Sequence, residues 1–176
     1  MVEPRGVSEL HTSFSGRDTC ARRPRILLGV SGSVAAIKVP ILAKLLAEFA
    51  DMQIITTGAS RKLLSDEELS SLNLPVKGDE HEWHAWKTVG DPVLHIELRR
   101  WADCLLIAPL SANTLAKVAQ GFCDNLLTCV VRAWDFEKPL LVAPAMNTFM
   151  WDSPFTSKHL ATLQELGASI IPPADG

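Results

Sequence analysis

The sequence predicts a single doubly wound α/β domain, in which helices cover both faces of a parallel sheet. Two observations lead to this prediction. Short, almost continuously apolar segments alternate with helical patterns, and small or hydroxyl-bearing residues follow the apolar segments. The chain has 176 residues, of which 47% are hydrophobic and 21% charged, so it can form a sizeable core without a disulfide or a metal.

The segment from residue 25 to residue 60 is predicted to be a βαβ unit. A strand over Arg25–Val30 ends in the small residues 31–33. A helix is predicted over Val34–Phe49, with Ser33 as its N-cap. Its apolar residues recur at the 3.6-residue period of a helix, on one stripe: Ile37, Ile41, Leu45 and Phe49. A second strand over Met52–Thr56 leads into the turn at residues 57–60.

The alternation continues in the second half of the chain. A strand over Cys104–Ala108 precedes residues 111–114 and a helix through Val118, and a strand over Leu140–Ala143 precedes residues 144–147. A final helix over Thr156–Leu166 stops at a glycine and leads into a last strand over residues 168–171.

A further helix is predicted from Asp91 to Trp101. Leu94, Leu98 and Trp101 form its inner stripe, and His95 and Arg99 are expected to share the opposite, outer face, one turn apart. A residue that faces away from its own core could complete a site on a neighbouring subunit.

Composition and charge exclude several classes of protein. The longest apolar run, Leu140–Met146, is far shorter than the roughly 18 residues of a membrane-spanning helix. The formal net charge of −3 argues against a nucleic-acid partner, which usually requires a basic face. The sequence contains no C-x-x-C pair, so we expect no metal site. We also expect the cysteines to be free thiols in the reducing cytoplasm. They are Cys20, Cys104, Cys123 and Cys129.

Residues 1–24 are predicted to form a disordered arm, which leaves residues 25–176 as the domain. The arm is rich in polar residues and has almost no apolar periodicity, so it cannot offset the entropy of ordering. It lacks the apolar region of a secretory signal. Glu3, Glu9 and Asp18 are unusual for an organelle transit peptide, which stays as the alternative.

Ligands of open α/β sheets bind beyond the carboxyl ends of the strands, where two small, hydroxyl-rich loops are predicted here. Residues 31–33 (SGS) and 111–114 (SANT) each combine N–H groups and hydroxyls with a helix N-terminus. Such loops suit a phosphorylated ligand with a polar ring system. Neither carries the G-x-G-x-x-G or P-loop motif, so an NAD or nucleotide-hydrolase site is unsupported, and an ordinary turn is the alternative for each loop.

Two further side chains are candidates for chemistry. Asn147 follows a strand and could bind a carboxylate or an amide, although an asparagine in a loop is more often a turn former. His95 could carry a proton or pair with a carboxylate, although a lone histidine in a helix is usually an ordinary surface group. The tryptophans are expected to be core or interface anchors: Trp83, Trp86, Trp101, Trp134 and Trp151.

Four stretches taken together resemble one enzyme family. They are residues 32–38 (GSVAAIK), 91–103 (DPVLHIELRRWAD), 108–114 (APLSANT) and 144–151 (PAMNTFMW). They are similar to the homo-oligomeric flavin-containing cysteine decarboxylases, and in particular to the phosphopantothenoylcysteine decarboxylase branch. The resemblance runs from about Pro24 to Pro173.

The resemblance implies a flavodoxin-like, Rossmann-type domain that binds FMN and assembles as a homotrimer with active sites at subunit contacts. His95 corresponds to the active-site histidine, Asn147 to the residue that grips the substrate carboxylate, and Met150 to a further substrate-binding residue. The residues implied to bind FMN are Gly32, Ser33, Val34, Ala35, Thr57, Gly58, Ala59, Ser111, Ala112, Asn113, Thr114 and Ala145.

The implied activity is FMN-dependent decarboxylation of 4'-phosphopantothenoylcysteine to 4'-phosphopantetheine in coenzyme A biosynthesis. Oxidation of the cysteinyl group to a thioaldehyde lets its C=S bond accept the electrons released when CO2 leaves, and re-reduction gives the product. In this family a substrate flap with an A-C-G-D-like motif supplies the final proton from its cysteine. The flap is expected after Pro173, and no cysteine of this sequence occupies that position.

Three alternatives follow for the flap: a truncated chain, a natural chain without it, or a member that has lost full turnover. FMN binding and the oxidative step are expected in each case, and the reductive step is in question. The alternative function is a non-catalytic, flavin-binding regulatory or hetero-oligomer subunit, similar to fungal relatives that inhibit a protein phosphatase. A flavin prenyltransferase of related fold fits the stretches 91–103 and 144–151 less well.

Overall fold

The computed structural model of the chain describes residues 22–173, so most of the arm predicted over residues 1–24 lies outside the described residues. The last residues of that segment contact the domain. The Arg22 guanidinium donates two hydrogen bonds of 2.8 Å to the carboxylate of Asp103. Arg23 donates to the carbonyl of Ala50 at 3.0 Å. Contacts with the domain therefore extend to Arg22, because both arginines find acceptors there.

One parallel sheet organises the fold, with the strand order β3-β2-β1-β4-β5-β6. The strands are β1 Arg25–Val30, β2 Asp51–Thr56, β3 Val76–Lys77, β4 Cys104–Leu110, β5 Leu140–Pro144 and β6 Ser169–Ile170. The order reverses between β1 and β4, which is the topological switch point. Without the short edge strand β3, the order is that of flavodoxin-like sheets. The predicted doubly wound, flavodoxin-like fold is confirmed.

Helices pack on both faces of this sheet. They are α1 Val39–Ala47, α2 Asp66–Ser70, α3 Asp79–Ala85, α4 Leu94–Trp101, α5 Ala112–Ala119, α6 Leu126–Arg132, α7 Thr148–Trp151 and α8 Pro154–Glu165. The neighbouring residues Leu27 and Leu28 of β1 are both fully buried, in two different core clusters. Side chains alternate along a strand, so burial on both faces requires an almost continuous apolar run. None of the helices formed by residues 22–173 is long and apolar enough to cross a membrane.

The helix predicted over Val34–Phe49 is shorter and divided in two. A 3-10 turn over Val34–Lys38 comes first, and α1 follows it. The division occurs at Pro40, which has no N–H to donate to the carbonyl four residues earlier and whose ring crowds that carbonyl. Ser33 caps the 3-10 turn, as predicted, with its hydroxyl accepting the N–H of Ala35.

The apolar residues on which this helix was predicted face away from the sheet. The core side consists of the small residues Ala36, Val39 and Ala43, which are essentially fully buried. The outward residues are each more than half exposed, and we refer to them as the apolar stripe: Val34, Ile37, Ile41, Leu45 and Phe49. A contiguous exposed apolar surface of this kind indicates a contact with another molecule.

The helix predicted from Asp91 begins three residues later, at Leu94. The Asp91 carboxylate instead accepts the N–H groups of Lys87 and Thr88, each at 2.8 Å, and so closes the preceding turn. These two hydrogen bonds hold the pKa of Asp91 below its usual value. Hydrogen bonds from the preceding backbone to an aspartate side chain stabilise a turn at this point. This turn competes with extension of the helix towards its N-terminus.

Candidate functional site

An open cleft of about 860 Å³ lies beyond the carboxyl ends of β1, β4 and β5. Its volume is within the range of ligand pockets, about 300–1,000 Å³. Three loops form most of its lining, and each follows one of these strands. The structure brings together at this cleft many of the residues predicted to bind cofactor or substrate: Gly32, Ser33, Val34, Ala35, Ser111, Ala112, Asn113, Ala145, Asn147 and Met150.

Ser31 joins the first two of these loops across the switch point. Its side chain is fully buried. The Ser31 hydroxyl donates to the carbonyl of Pro109 at 2.8 Å and accepts the N–H of Ser111 at 2.7 Å. The sequence predicts only a turn at Ser31, because its hydrogen bond to Ser111, 80 residues away, forms only in the folded structure. The Ser31 hydroxyl therefore links the two loops, together with the Ser31 N–H, which donates to the same Pro109 carbonyl at 3.2 Å.

Replacing Ser31 with alanine is expected to lower the free energy of unfolding by about 1–3 kcal/mol, because the buried N–H of Ser111 would lose its acceptor. Chemical denaturation monitored by circular dichroism measures this change. Ser157→Ala is the matched control, since that exposed hydroxyl donates only to the carbonyl of Pro154 within its own helix. Equal stability of the two variants would contradict the role assigned to Ser31.

Unpaired backbone N–H groups flank the cleft on both sides. The hydroxyls of Ser33 and Ser111 accept the N–H groups of Ala35 and Thr114, at 3.4 and 3.3 Å. Four other N–H groups of the two loops find no acceptor within residues 22–173, namely those of Gly32, Val34, Ala112 and Asn113. Donors at two helix N-termini favour an anion such as a phosphate.

The loop predicted to contribute Thr57, Gly58 and Ala59 supports the cleft from behind instead of lining it. A Cβ added to Gly32 would lie 2.5 Å from the Cβ of Ala59, so the two loops are in close contact. Thr57 is buried, and its N–H donates to the carbonyl of Val30. Thr114 is also buried and does not line the cleft, and its hydroxyl accepts a hydrogen bond from that of Ser111 at 3.2 Å.

Asn147 lies at the N-cap of α7, where its Oδ1 accepts the N–H of Phe149 at 2.9 Å. This bond occupies the side-chain oxygen and leaves the NH2 group as a donor beside the cleft. Met150 and Trp151 of the same short helix also line the cleft. One turn of helix thus places an amide donor and two large apolar side chains at one wall.

His95 does not line the cleft. The prediction that His95 and Arg99 lie opposite the inner stripe of α4 is wrong, because each follows a stripe residue and is turned by only about 100° from it. Both are half-buried. Nε of Arg99 donates to the carbonyl of Ala133 at 3.0 Å, and Nδ1 of His95 lies 2.7 Å from Oε1 of Glu82. The inner stripe itself is confirmed, since Leu98 is buried in the core.

Comparison with known proteins shows the family of this chain. Residues 15–175 match the Flavoprotein family. The phosphopantothenoylcysteine decarboxylase of Oryza sativa subsp. japonica is 58% identical over 151 residues, which cover 86% of this chain and 68% of the rice protein. This chain belongs to the phosphopantothenoylcysteine decarboxylase family. The family resemblance predicted from the four sequence stretches is confirmed.

Two solved structures have the same fold as this chain. The FMN binding protein AtHal3 superposes with a TM-score of 0.85 at 56% identity, over 88% of this chain and 83% of that chain. A PPC decarboxylase mutant complexed with pantothenoylaminoethenethiol superposes with a TM-score of 0.84 at 57% identity, over 87% and 84% of the two chains.

The cleft of this decarboxylase family member fits FMN, the predicted cofactor. The free N–H groups of Gly32 and Val34 suit its phosphate. The apolar lining contributed by Pro144, Ala145 and Met146 suits a planar ring. The chain's own residues therefore meet both chemical requirements of the cofactor.

Proposed function

We propose that this protein is the FMN-dependent decarboxylase that converts 4'-phosphopantothenoylcysteine to 4'-phosphopantetheine in coenzyme A biosynthesis. The observation that carries the proposal is a single cleft that presents free N–H groups for an anion and the amide of Asn147. Bound FMN supplies the two-electron oxidation that makes loss of CO2 possible.

The chain's own residues bind the cofactor, orient the substrate and accept a proton. N–H groups beside Ser33 and Ser111 hold the cofactor. The NH2 group of Asn147 donates to the substrate carboxylate and so fixes the bond that breaks. Nε2 of His95 accepts the thiol proton as the cysteinyl group is oxidised. Met150 packs against the substrate at the wall of the cleft that α7 forms.

The active unit is a homotrimer with each site shared between subunits. Two observations support this part of the proposal. His95 lies away from the cleft of its own chain, and the apolar stripe is exposed. Val34 belongs to both the stripe and the cleft lining, so the cleft borders the surface that a neighbour would cover. A His95 side chain from that neighbour would complete the site.

A charge placed in the apolar stripe is expected to dissociate the oligomer. Ile41→Glu should shift the mass measured by light scattering from trimer to monomer, because a buried, unpaired carboxylate is costly at an interface. Ile41 is 60% exposed in the chain itself, so the monomer should stay folded. Val89→Glu is the matched control, since Val89 is 96% exposed and lies outside the stripe. An Ile41→Glu protein that remains a trimer would remove the stripe from the interface.

Flavin absorbance of the purified protein, followed by mass analysis of the product, tests the proposed function. A protein that cannot be loaded with FMN would contradict it. Within residues 22–173 no cysteine lines the cleft, and burial raises the pKa of Cys129 to about 11. The product mass shows whether this protein completes the reductive step. A product two hydrogens lighter than 4'-phosphopantetheine would mean that it stops after decarboxylation.

The presence of both His95 and Asn147 favours catalysis over the alternative of a non-catalytic flavin-binding subunit. If neither His95→Asn nor Asn147→Asp altered the effect of the protein in cells, the alternative would be preferred. We place the protein in the cytoplasm because Cys104, Cys123 and Cys129 are free thiols, as expected in a reducing compartment.

A further inference from the structure

We propose that Glu82 is the positioning residue of the active-site histidine. It holds the neutral His95 ring in the tautomer that carries its proton on Nδ1, and thereby leaves Nε2 as the nitrogen that accepts a proton. The catalytic consequence rests on the proposed function, whereas the effect of Glu82 on the His95 ring does not.

Both carboxylate oxygens of Glu82 contact residue 95. Oε1 lies 2.7 Å from Nδ1 of the ring, and Oε2 accepts the backbone N–H of His95 at 3.2 Å. An ionised carboxylate can only accept hydrogen bonds, so the ring nitrogen that faces it must donate. In the neutral imidazole the lone pair is then on Nε2, which points away from Glu82.

The Glu82 and His95 side chains are only 19% and 24% exposed, which makes this the least exposed acid–base pair among the described residues. Limited exposure to water strengthens the hydrogen bond and restricts the ring to one orientation. Glu80, on the same helix, is 60% exposed and contacts His81 instead. Of the two glutamates of α3, Glu82 is therefore the one that contacts His95.

Helix α3 is itself held at a fixed position by a neighbouring helix. Oδ1 of Asp79 accepts the N–H of Leu126, the first residue of α6, at 2.8 Å. Glu82 follows Asp79 by about one turn, so the same face of α3 reaches the start of α4. Val93, the N-cap of α4, makes no side-chain capping bond, and Glu82 supplies an acceptor there from outside the helix.

These contacts make Glu82→Gln informative. Glutamine has one acceptor oxygen, but two N–H groups of His95 require acceptors. If the oxygen keeps the backbone N–H, the glutamine NH2 group faces Nδ1 and favours the tautomer with its proton on Nε2. The imidazole could then no longer accept the substrate proton at Nε2.

The first experiment is nitrogen NMR of the 15N-histidine-labelled full chain in mildly alkaline buffer, with His95→Asn used to assign the signals. The wild-type ring is expected to carry its proton on Nδ1, and Glu82→Gln should move it towards Nε2. Glu80→Gln is the matched control: a change in the signals of His81, which Glu80 contacts, is compatible with the proposal, but those of His95 should stay unchanged. A wild-type ring protonated on Nε2 would overturn the proposal, even if Glu82→Gln failed to fold.

The second experiment is stopped-flow measurement of flavin reduction by substrate in the same FMN-loaded proteins. Loss of an orienting carboxylate is expected to slow this step about 100-fold or more, with little change in the substrate concentration at half-maximal rate or in FMN content. A shifted tautomer with an unchanged rate would remove Glu82 from the mechanism. If wild-type protein failed to reduce its flavin, the proposed function would fail, and the NMR result would still decide how Glu82 acts on His95.

Discussion

Two inactive variants, His95→Asn and Asn147→Asp, are expected to recover about one quarter of wild-type activity when their subunits assort randomly in mixed trimers. A working site needs an intact Asn147 at its cleft and an intact His95 from its neighbour. Each requirement is met with a probability of about one half in a random mixture. Recovery follows from the location of His95 outside the cleft of its own chain.

Each variant alone is expected to lose activity by about 100-fold or more, the usual contribution of a positioned acid–base group. Asn147→Asp replaces a donor with a second carboxylate opposite the substrate carboxylate, and like charges repel. Both variants should retain FMN. The measurement is CO2 release by co-expressed subunits carrying two different tags, with each variant co-expressed with itself as the control. Absence of recovery would mean that His95 serves its own chain.

Gly32→Ala is expected to weaken FMN binding at least tenfold and to lower the free energy of unfolding by about 1–3 kcal/mol. The added Cβ would lie 2.5 Å from the Cβ of Ala59, and neither atom is the end of a flexible side chain. The loop at residues 31–35 must therefore move away from the loop at 57–60. This movement would displace the free N–H groups of Gly32 and Val34 from the anion.

Fluorescence titration with FMN and thermal unfolding of the FMN-free protein measure the two effects. Gly58→Ala is the control for stability, because a Cβ added at Gly58 meets no atom within 4 Å. It should leave the melting temperature nearly unchanged. A Gly32→Ala protein as stable as Gly58→Ala would show that the loops separate at no cost, and the close contact with Ala59 would then have no importance.

The central strands could be predicted because their burial on both faces requires a nearly unbroken apolar run. β1 has the predicted bounds, and β4 and β5 extend the predicted strands by one or two residues. Helix α1 could be detected from the period of its apolar residues, but the direction of the stripe could not. The side of α1 that packs on the sheet carries Ala36 and Ala43, which allow close approach.

Elements held mainly by tertiary contacts could not be predicted. α3 has the sequence DEHEWHA, which contains no apolar stripe, and Asp79 and Glu82 connect it to other helices. α2 is five residues long, and β3 is two residues long, so neither has a readable period. The apolar sequence of α6 is buried on most sides, which removes the contrast between faces that identifies a helix.

The cleft loops could be predicted from general rules about where ligands bind relative to the strands. The roles of Ser31 and Glu82 could not, because each depends on a partner distant in the sequence. Ser31 pairs across 80 residues, and Glu82 reaches His95 across 13. A buried hydroxyl and a carboxylate on a polar helix resemble ordinary turn and surface residues until those partners are known.

The Ser31 hydroxyl also bears on how the cofactor affects folding. Together with the pairing of β1 and β4, it aligns the loops at residues 31–33 and 111–114 before any ligand arrives, so little conformational entropy remains for FMN to remove on binding. In the unfolded chain the two loops are separated by 80 residues and present no joint surface to the cofactor. FMN should therefore bind the folded state almost exclusively. At a free concentration about 100 times its Kd, it would stabilise that state by about 2.7 kcal/mol, which links cofactor supply to the lifetime of the protein.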